Sequence, residues 1–510
     1  MSALRGKITS TASIVAAVFV VFYCFAPQAR FLQWDDAKTL LEDPAWRGLG
    51  WENLKWMWAS RHYGPWQPLS WLSWCFDYQI WGLNPTALRR TNVALHSITA
   101  GLFFLVCRRL LPHAKNNSLP LSLPLGAAGA ALFFALHPLR VESVLWITER
   151  RDVLSGLFAV LSVYLWLEER RRWSALAFAG AVLSKGTALA VLPFIFIIER
   201  RDLRKAAVAL LPHLVIGIFA ACKNVASLSG GDIHSLGLPL GDRVLVAMSG
   251  AWFYLSKTLW PMNLSPYYAL SLNGDGIRQE SYPGALLATL IFTASFHRRV
   301  RSWAAPVWLA YLAALLPVSG LFQNGRQAAA DRYSYLACMP FAILFGWAAQ
   351  ESYLRRPRTA VAGFCAIIVL LTATTIHQEQ IWRDDVSLWT RAVAVSPDAY
   401  LPNSNLSVAL LVAGRGADAI PSLEAAIALE PRDAEARVNL ASILAARGEN
   451  VRAISLFREA VNLKPNDPSF ASARFNLGIL LIHEGRKDDG LAQLREAVRF
   501  DPSLKSRVPR

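Results

Sequence analysis

The residues able to do chemistry fall in a few short, widely separated stretches. In Phe31-Leu-Gln-Trp34-Asp35-Asp36-Ala-Lys38 two carboxylates stand side by side just after an apolar run. Such a pair is either a solvated turn or helix cap, or a general base held at a membrane surface where an acceptor hydroxyl could lose its proton. Asn92 and His96 lie one helical turn apart inside an apolar segment, as a buried hydrogen-bonded pair or a functional one. The densest stretch is His137-Pro138-Leu-Arg140-Val-Glu142-Ser143, continuing to Glu149-Arg150-Arg151-Asp152. Lys185 interrupts another apolar run, and Asp331-Arg332-Tyr333-Ser-Tyr335 opens a further one. Snorkelling to the interface accounts for any one of these charges. It accounts less well for several clusters from distant sequence on one face of a membrane. One acid with several cations at a lipid surface suits transfer from a lipid-phosphate donor. The base takes the acceptor's proton, while Arg and Lys stabilise the charge developing on the departing phosphate.

The elements that must position these residues are membrane spans. Of 510 residues 54% are hydrophobic and only 17% charged, against about 25% charged in a soluble domain. Apolar segments at 9–27, 88–107, 120–138, 153–168, 205–222, 283–297, 303–322, 333–350 and 359–376 approach the roughly 20 residues that a span needs. The first reads as an uncleaved signal anchor. Basic clusters at Arg5/Lys7, Arg108/Arg109/Lys115, Arg170–Arg172, Arg200/Arg201/Arg204/Lys205, Arg298/Arg299/Arg301 and Arg355/Arg356/Arg358 hold 18 cations against five acids, +13 of a total +16. The positive-inside rule puts all six on the cytoplasmic side. The net charge is therefore an orientation signal and gives nucleic-acid binding no support. Loops 28–87, 139–152, 223–242 and 323–332, and everything after 376, then face away from the cytoplasm. Residues 173–198, flanked by cytoplasmic clusters and broken at Lys185, read as a re-entrant hairpin or two short tilted helices. Residues 243–260 read as an interfacial or re-entrant helix, or as two crossings. The expected architecture is all-α: a polytopic bundle of about 11 to 13 spans over 1–378, and a soluble domain over 379–510.

That second domain is a repeat. Pro397, Pro431 and Pro465 are 34 residues apart, as are Gly414 and Gly448, and Asn405-Leu406, Asn439-Leu440 and Asn476-Leu477 take matching places. This is the tetratricopeptide period, here about three units. Such repeats stack into an α-solenoid whose concave face binds extended peptide, so the expected partner is a protein or peptide acceptor.

Taken in order, F-x-x-W-D-D, Q-P-L-S, W-G-L-N-P, N-x-x-L-H, H-P-x-x-x-E-S-V-x-W, R-R-D-V-L-S-G, S-K-G and D-R-Y-S-Y-L resemble the transmembrane and tetratricopeptide repeat-containing glycosyltransferases and their bacterial relatives. These belong to the GT-C superfamily, related to protein O-mannosyltransferases. The resemblance spans essentially the whole chain. It implies transfer of a sugar, mannose in the animal members, from a polyprenyl-phosphate donor to a hydroxyl with inversion. By similarity Asp35 and Asp36 match the acidic motif holding the catalytic base, and Glu142 matches a second acid. Arg150, Lys185 and Arg332 match donor-phosphate contacts, with Asn92, His96, His137, Asp152, Asp331 and Tyr335 in support. The family's acid after the lysine is Gly186 here, its late proline is Ala337, and Arg89-Arg90 replaces a histidine segment. A cofactor is not assigned; a divalent ion, Mg or Mn, would take Asp35 and Asp36. The competing reading is a non-enzymatic membrane scaffold for envelope assembly. Composition points to a bacterial inner membrane, with a cytoplasmic N-terminus and periplasmic repeats.

Overall fold

A computed structural model describes residues 2–60, 62, 64–111, 125–199, 203–228, 237–270, 272–273, 276–277, 281–321 and 325–508. Tyr63, Lys115, Arg200, Arg201 and the middle of the 223–242 loop lie outside the described residues. The chain divides into two units, Met1–Asp384 and Asp385–Arg510.

The first unit begins with α1 (Ser2–Cys24), after which Arg30–Asp36 leads to a π turn at Ala37–Leu41 and the short α2 (Trp51–Ala59). α3 (Pro68–Trp81) and α4 (Pro85–Leu110) follow. Asn84 starts α4 by accepting from the amides of Thr86 and Ala87 at 3.0 and 3.2 Å, with Pro85 at the first helical position, as N-cap chemistry requires. α5 (Leu125–Ala135) stops before His137-Pro138, where the chain bends by 52° into α6 (Val141–Leu145). α7 (Arg150–Leu167) and α8 (Arg171–Ser184) form an antiparallel pair, turned at Glu169 with its positive φ of 59°. Lys185 is extended, so the apolar run 173–198 becomes α8, a 3-10 turn at Gly186–Ala190 and α9 (Val191–Ile198).

α10 (Leu203–Leu228) precedes α11 (Leu240–Leu259), a single continuous helix where the sequence left one helix or two crossings open. α12 (Tyr282–Ser295) and α13 (Ala304–Leu315) complete the middle of the unit, and α14 (Ser334–Ala337), α15 (Met339–Arg355) and α16 (Pro357–Glu379) its end. Two small antiparallel pairings interrupt the helices: Tyr268–Ala269 with Gln327–Ala329, and Leu272–Asn273 with Gly276–Ile277.

Among the described residues three helical stretches are long and apolar enough to cross a membrane, Pro85–Leu110, Ala207–Ser227 and Pro357–Trp382. The bent pair α5 and α6 makes a fourth. The other apolar runs form shorter helices, one of them bounded by the break at Lys185. Small residues let the bundle close: a Cβ on Gly346 would collide with the Gly126 carbonyl, so α5 and α15 meet backbone to backbone.

The segment bearing the acid pair rests on its own aromatic core of Leu40, Trp46, Met57, Trp71, Trp74 and Cys75, which reaches Leu88 and Ile147. The second unit runs α17 (Asp385–Val395), α18 (Tyr400–Val412), α19 (Gly416–Leu429), α20 (Ala434–Ala446), α21 (Asn450–Leu463), α22 (Ala471–His483) and α23 (Lys487–Phe500). Gly414, Gly448 and Gly485 end the first helix of each pair at φ of 72°, 78° and 81°, the left-handed C′ position where glycine carries no Cβ penalty. Phe457, Leu444 and Leu440 are buried at the centre of the stack.

Candidate active site

The helix break at Lys185 and the 3-10 turn Ile147–Glu149 bring side chains from four distant segments together. Glu149 is fully buried and is the centre of the group. It accepts from Arg151 Nη2 at 2.6 Å and from Lys185 Nζ at 3.0 Å, with Arg332 Nε at 3.5 Å. Lys185 also reaches Asp152 Oδ1 at 2.5 Å, and Asp152 in turn accepts from Ser143 Oγ. Arg332 is held by Glu142, through Nη1 at 2.5 Å and the backbone amide at 3.0 Å. Burial opposes ionisation of Glu149, but the charges of Arg151, Lys185 and Arg332 hold it well below the usual carboxylate range. Three cations thus share one carboxylate, each with about a tenth of its side chain exposed. This geometry could equally hold the oxygens of a phosphate.

The acid pair divides. Asp36 is fully buried. Its Oδ1 accepts from the Thr148 amide at 3.0 Å and hydroxyl at 2.5 Å, and its Oδ2 from the Leu32 amide at 2.9 Å. It ties the first loop to the turn that carries Glu149. Burial lifts its pKa to about 6 against the lowering by Thr148 and Leu32, with the Asp35 charge adding to the rise. Asp35 is half-buried and lies within electrostatic reach of Arg151. Trp34 stacks on Trp146 with ring centroids 4.7 Å apart, and the Arg332 guanidinium lies over both rings at 5.9 and 5.4 Å.

Arg150 is not part of the cation group. It is buried and bonds Asp77 at 2.6 Å, the Leu88 carbonyl at 2.7 Å, Ser73 at 3.0 Å, and Asn92. Successive residues at a helix start point about 100° apart, so only Arg151 faces Glu149. Asn92 also donates to the Trp146 carbonyl, fixing α4 against the segment before the turn. His96 bonds Tyr335 Oη at 2.8 Å and the Ala135 carbonyl at 3.1 Å, and His137 the Thr258 carbonyl at 3.1 Å. These three lock helices together. Asp331 accepts from Tyr268 Oη at 2.8 Å, and burial followed by the Glu142 charge raises its pKa well above the usual range.

Sequence reasoning gave no role to Glu149, Arg151 or Gln67. Gln67 is buried, and neither atom of its amide has a hydrogen-bond partner among the described residues. It stands between Gly64, where a Cβ would be 3.4 Å from Arg151 Nη1, and Ser70, whose hydroxyl donates to the Ser184 carbonyl beside Lys185. A divalent ion at the acid pair would share Asp36 with protein donors. Asp36 uses both oxygens on protein donors, and among the described residues no three His, Cys, Asp or Glu side chains converge as ligands.

The first unit is thus of the multi-pass helical class, with an ion-rich centre fed by four segments. A tetratricopeptide repeat family model matches residues 405–468 and 466–504. The protein O-mannosyl-transferase Tmtc1 of Drosophila melanogaster is 24% identical over 493 residues, covering 75% of this chain and 56% of its own length. The protein O-mannosyl-transferase F38B6.6 of Caenorhabditis elegans is 23% identical, covering 73% and 55%, and human TMTC1 is 23% identical, covering 74% and 49%. The chain is similar to these protein O-mannosyl-transferases and spans about half the length of the relatives it matches.

Proposed function

We propose that this protein is a membrane glycosyltransferase that moves a sugar from a polyprenyl-phosphate donor to a hydroxyl, on a protein Ser or Thr, with the repeats binding the acceptor. The observation that carries this reading is the convergence of Arg151, Lys185 and Arg332 on the buried Glu149 carboxylate. Cations so arranged suit an anionic leaving group, because charge developing on the phosphate meets fixed donors in a dry site. Asp35 is the general base. Of the two acids it is the one only partly buried, while Asp36 is fully buried, spends its oxygens on Leu32 and Thr148 and acts as a positioning residue.

In the reaction Asp35 takes the acceptor proton, the acceptor oxygen attacks the anomeric carbon, and the bond to the phosphate oxygen breaks. The electron pair stays on the polyprenyl phosphate, against Arg151, Lys185 and Arg332. Gln67, with a buried and unsatisfied amide, offers a donor and an acceptor to a sugar hydroxyl. The proposed orientation puts this face and the repeats on the periplasmic side of an inner membrane.

The test is purified protein incubated with polyprenyl-phosphate mannose and a Ser/Thr peptide, with products read by mass spectrometry. Glycosylated peptide from the wild type and none from Asp35→Asn is expected. No transfer from any polyprenyl-phosphate sugar would favour the scaffold reading.

A further inference from the structure

The transfer proposed above leaves one large feature unused: the space between α15 and α16. α15 starts seven residues after Arg332 and runs about 25 Å, at 1.5 Å per residue, to Arg355. A single non-helical residue, Arg356, joins it to Pro357 at the start of α16. Between the two helices lies a crevice of about 600 Å³, whose lining has two chemically distinct parts. Arg355, Arg356, Ser352 and Thr359 surround the end where the helices join. Phe345, Phe364 and Ile367 form apolar walls further along.

The crevice exists because its lining is small. Ala348, Ala349, Ala360 and Gly363 leave the space open, and a Cβ built on Gly363 would meet nothing within 4 Å. α16 faces outward: it lies in the most apolar of the candidate spans, with only 11% of its apolar window buried. Among the described residues neither Arg355 nor Arg356 has a carboxylate partner.

We infer that this crevice is a binding site for an anionic phospholipid. Its phosphate sits at Arg355 and Arg356 beside the Ser352 and Thr359 hydroxyls, and its acyl chains lie along the small residues between Phe345 and Ile367. Free phosphate would have no use for the apolar walls, and a zwitterionic headgroup would bring its own cation against the two guanidinium groups. Basic pockets between membrane helices at one membrane face take anionic headgroups for this reason.

The experiment places the full-length protein in nanodiscs of equal phosphatidylglycerol and phosphatidylethanolamine. The protein is then moved into mild detergent, and retained lipid is counted by native mass spectrometry. The wild type should retain phosphatidylglycerol. Arg355→Gln with Arg356→Gln should retain about 30-fold less, at roughly fivefold per arginine. Gly363→Leu, which fills the crevice with no change of charge, should lose it too, with its melting midpoint unchanged. Arg298→Gln with Arg299→Gln, a basic pair elsewhere, should behave as wild type. Equal retention of phosphatidylethanolamine, or wild-type retention in the crevice variants, overturns the proposal. So does loss in the arginine pair but not in Gly363→Leu, which would mean diffuse surface attraction.

Discussion

Asp35 and Asp36 are neighbours in sequence with different surroundings, and substitution should separate them. Asp35→Asn should lower transfer by about a hundred- to ten-thousandfold, the usual contribution of a general base, with the melting midpoint kept. Asp36→Asn should instead destabilise the fold, by about 1–3 kcal/mol for a broken buried hydrogen-bond set. Because burial raises the Asp36 pKa from 3.8 to about 6, the native state holds more protons than the unfolded state between those values. Asp36 therefore withdraws stability as pH rises across that window. The difference in melting midpoint between wild type and Asp36→Asn, followed from pH 4 to 7, should shrink with increasing pH. For the cations, Arg151→Gln should cost about a hundred- to thousandfold in kcat, and Arg150→Gln should act on stability instead. Asp35, Asp36, Glu142, Lys185 and Arg332 were legible in sequence because charge beside an apolar run stands out. Which of two adjacent arginines faces the cluster was not legible, since helix phase there is set by the turn at Ile147–Glu149.

At the scale of elements, hydropathy located the helices and the Lys185 break, but not their lengths. The apolar run 120–138 ends as a helix at Ala135, and 333–350 is split at Cys338 into α14 and α15. Both breaks lie beside segments that deliver site residues, so residues chosen for the site also shorten the helices. Helix contacts add a constraint hidden from the sequence. Gly156 on α7 faces the ring of Tyr335, and any added Cβ would overlap it. Gly156→Val should therefore destabilise by about 1–3 kcal/mol, as overpacking does, and reduce activity by moving α7 and its Asp152. Detergent melting curves and transfer rates on the same preparation check both effects. The repeat boundaries were clearer, because the 34-residue spacing of Gly414 and Gly448 reports directly on left-handed turns.

For the molecule as a whole, the division at Asp384 and Asp385 predicts that residues 385–510 fold alone. Expressed by itself that segment should give a helical circular-dichroism spectrum and a cooperative thermal transition; a non-cooperative melt would count against an independent repeat domain. Orientation is open to a similarly direct check. A phosphatase reporter fused after Arg510 should be active on the non-cytoplasmic side, and a cytoplasmic readout would reverse the placement of the site and the repeats.

The Glu149 centre carries one more consequence. Three cations packed together repel, and Glu149, with Asp152 on Lys185 and Glu142 on Arg332, supplies the counter-charge that lets them stay folded before any substrate arrives. In the proposed transfer the carboxylate holds the place of the donor phosphate, so donor entry would exchange one anion for another. Without it Arg151 loses its ion-pair partner, a place that an anion from solution can fill. In Glu149→Gln, breaking this buried charge set should cost about 3–5 kcal/mol. The lost melting temperature should then return in part as inorganic phosphate is added, while wild type stays indifferent to it.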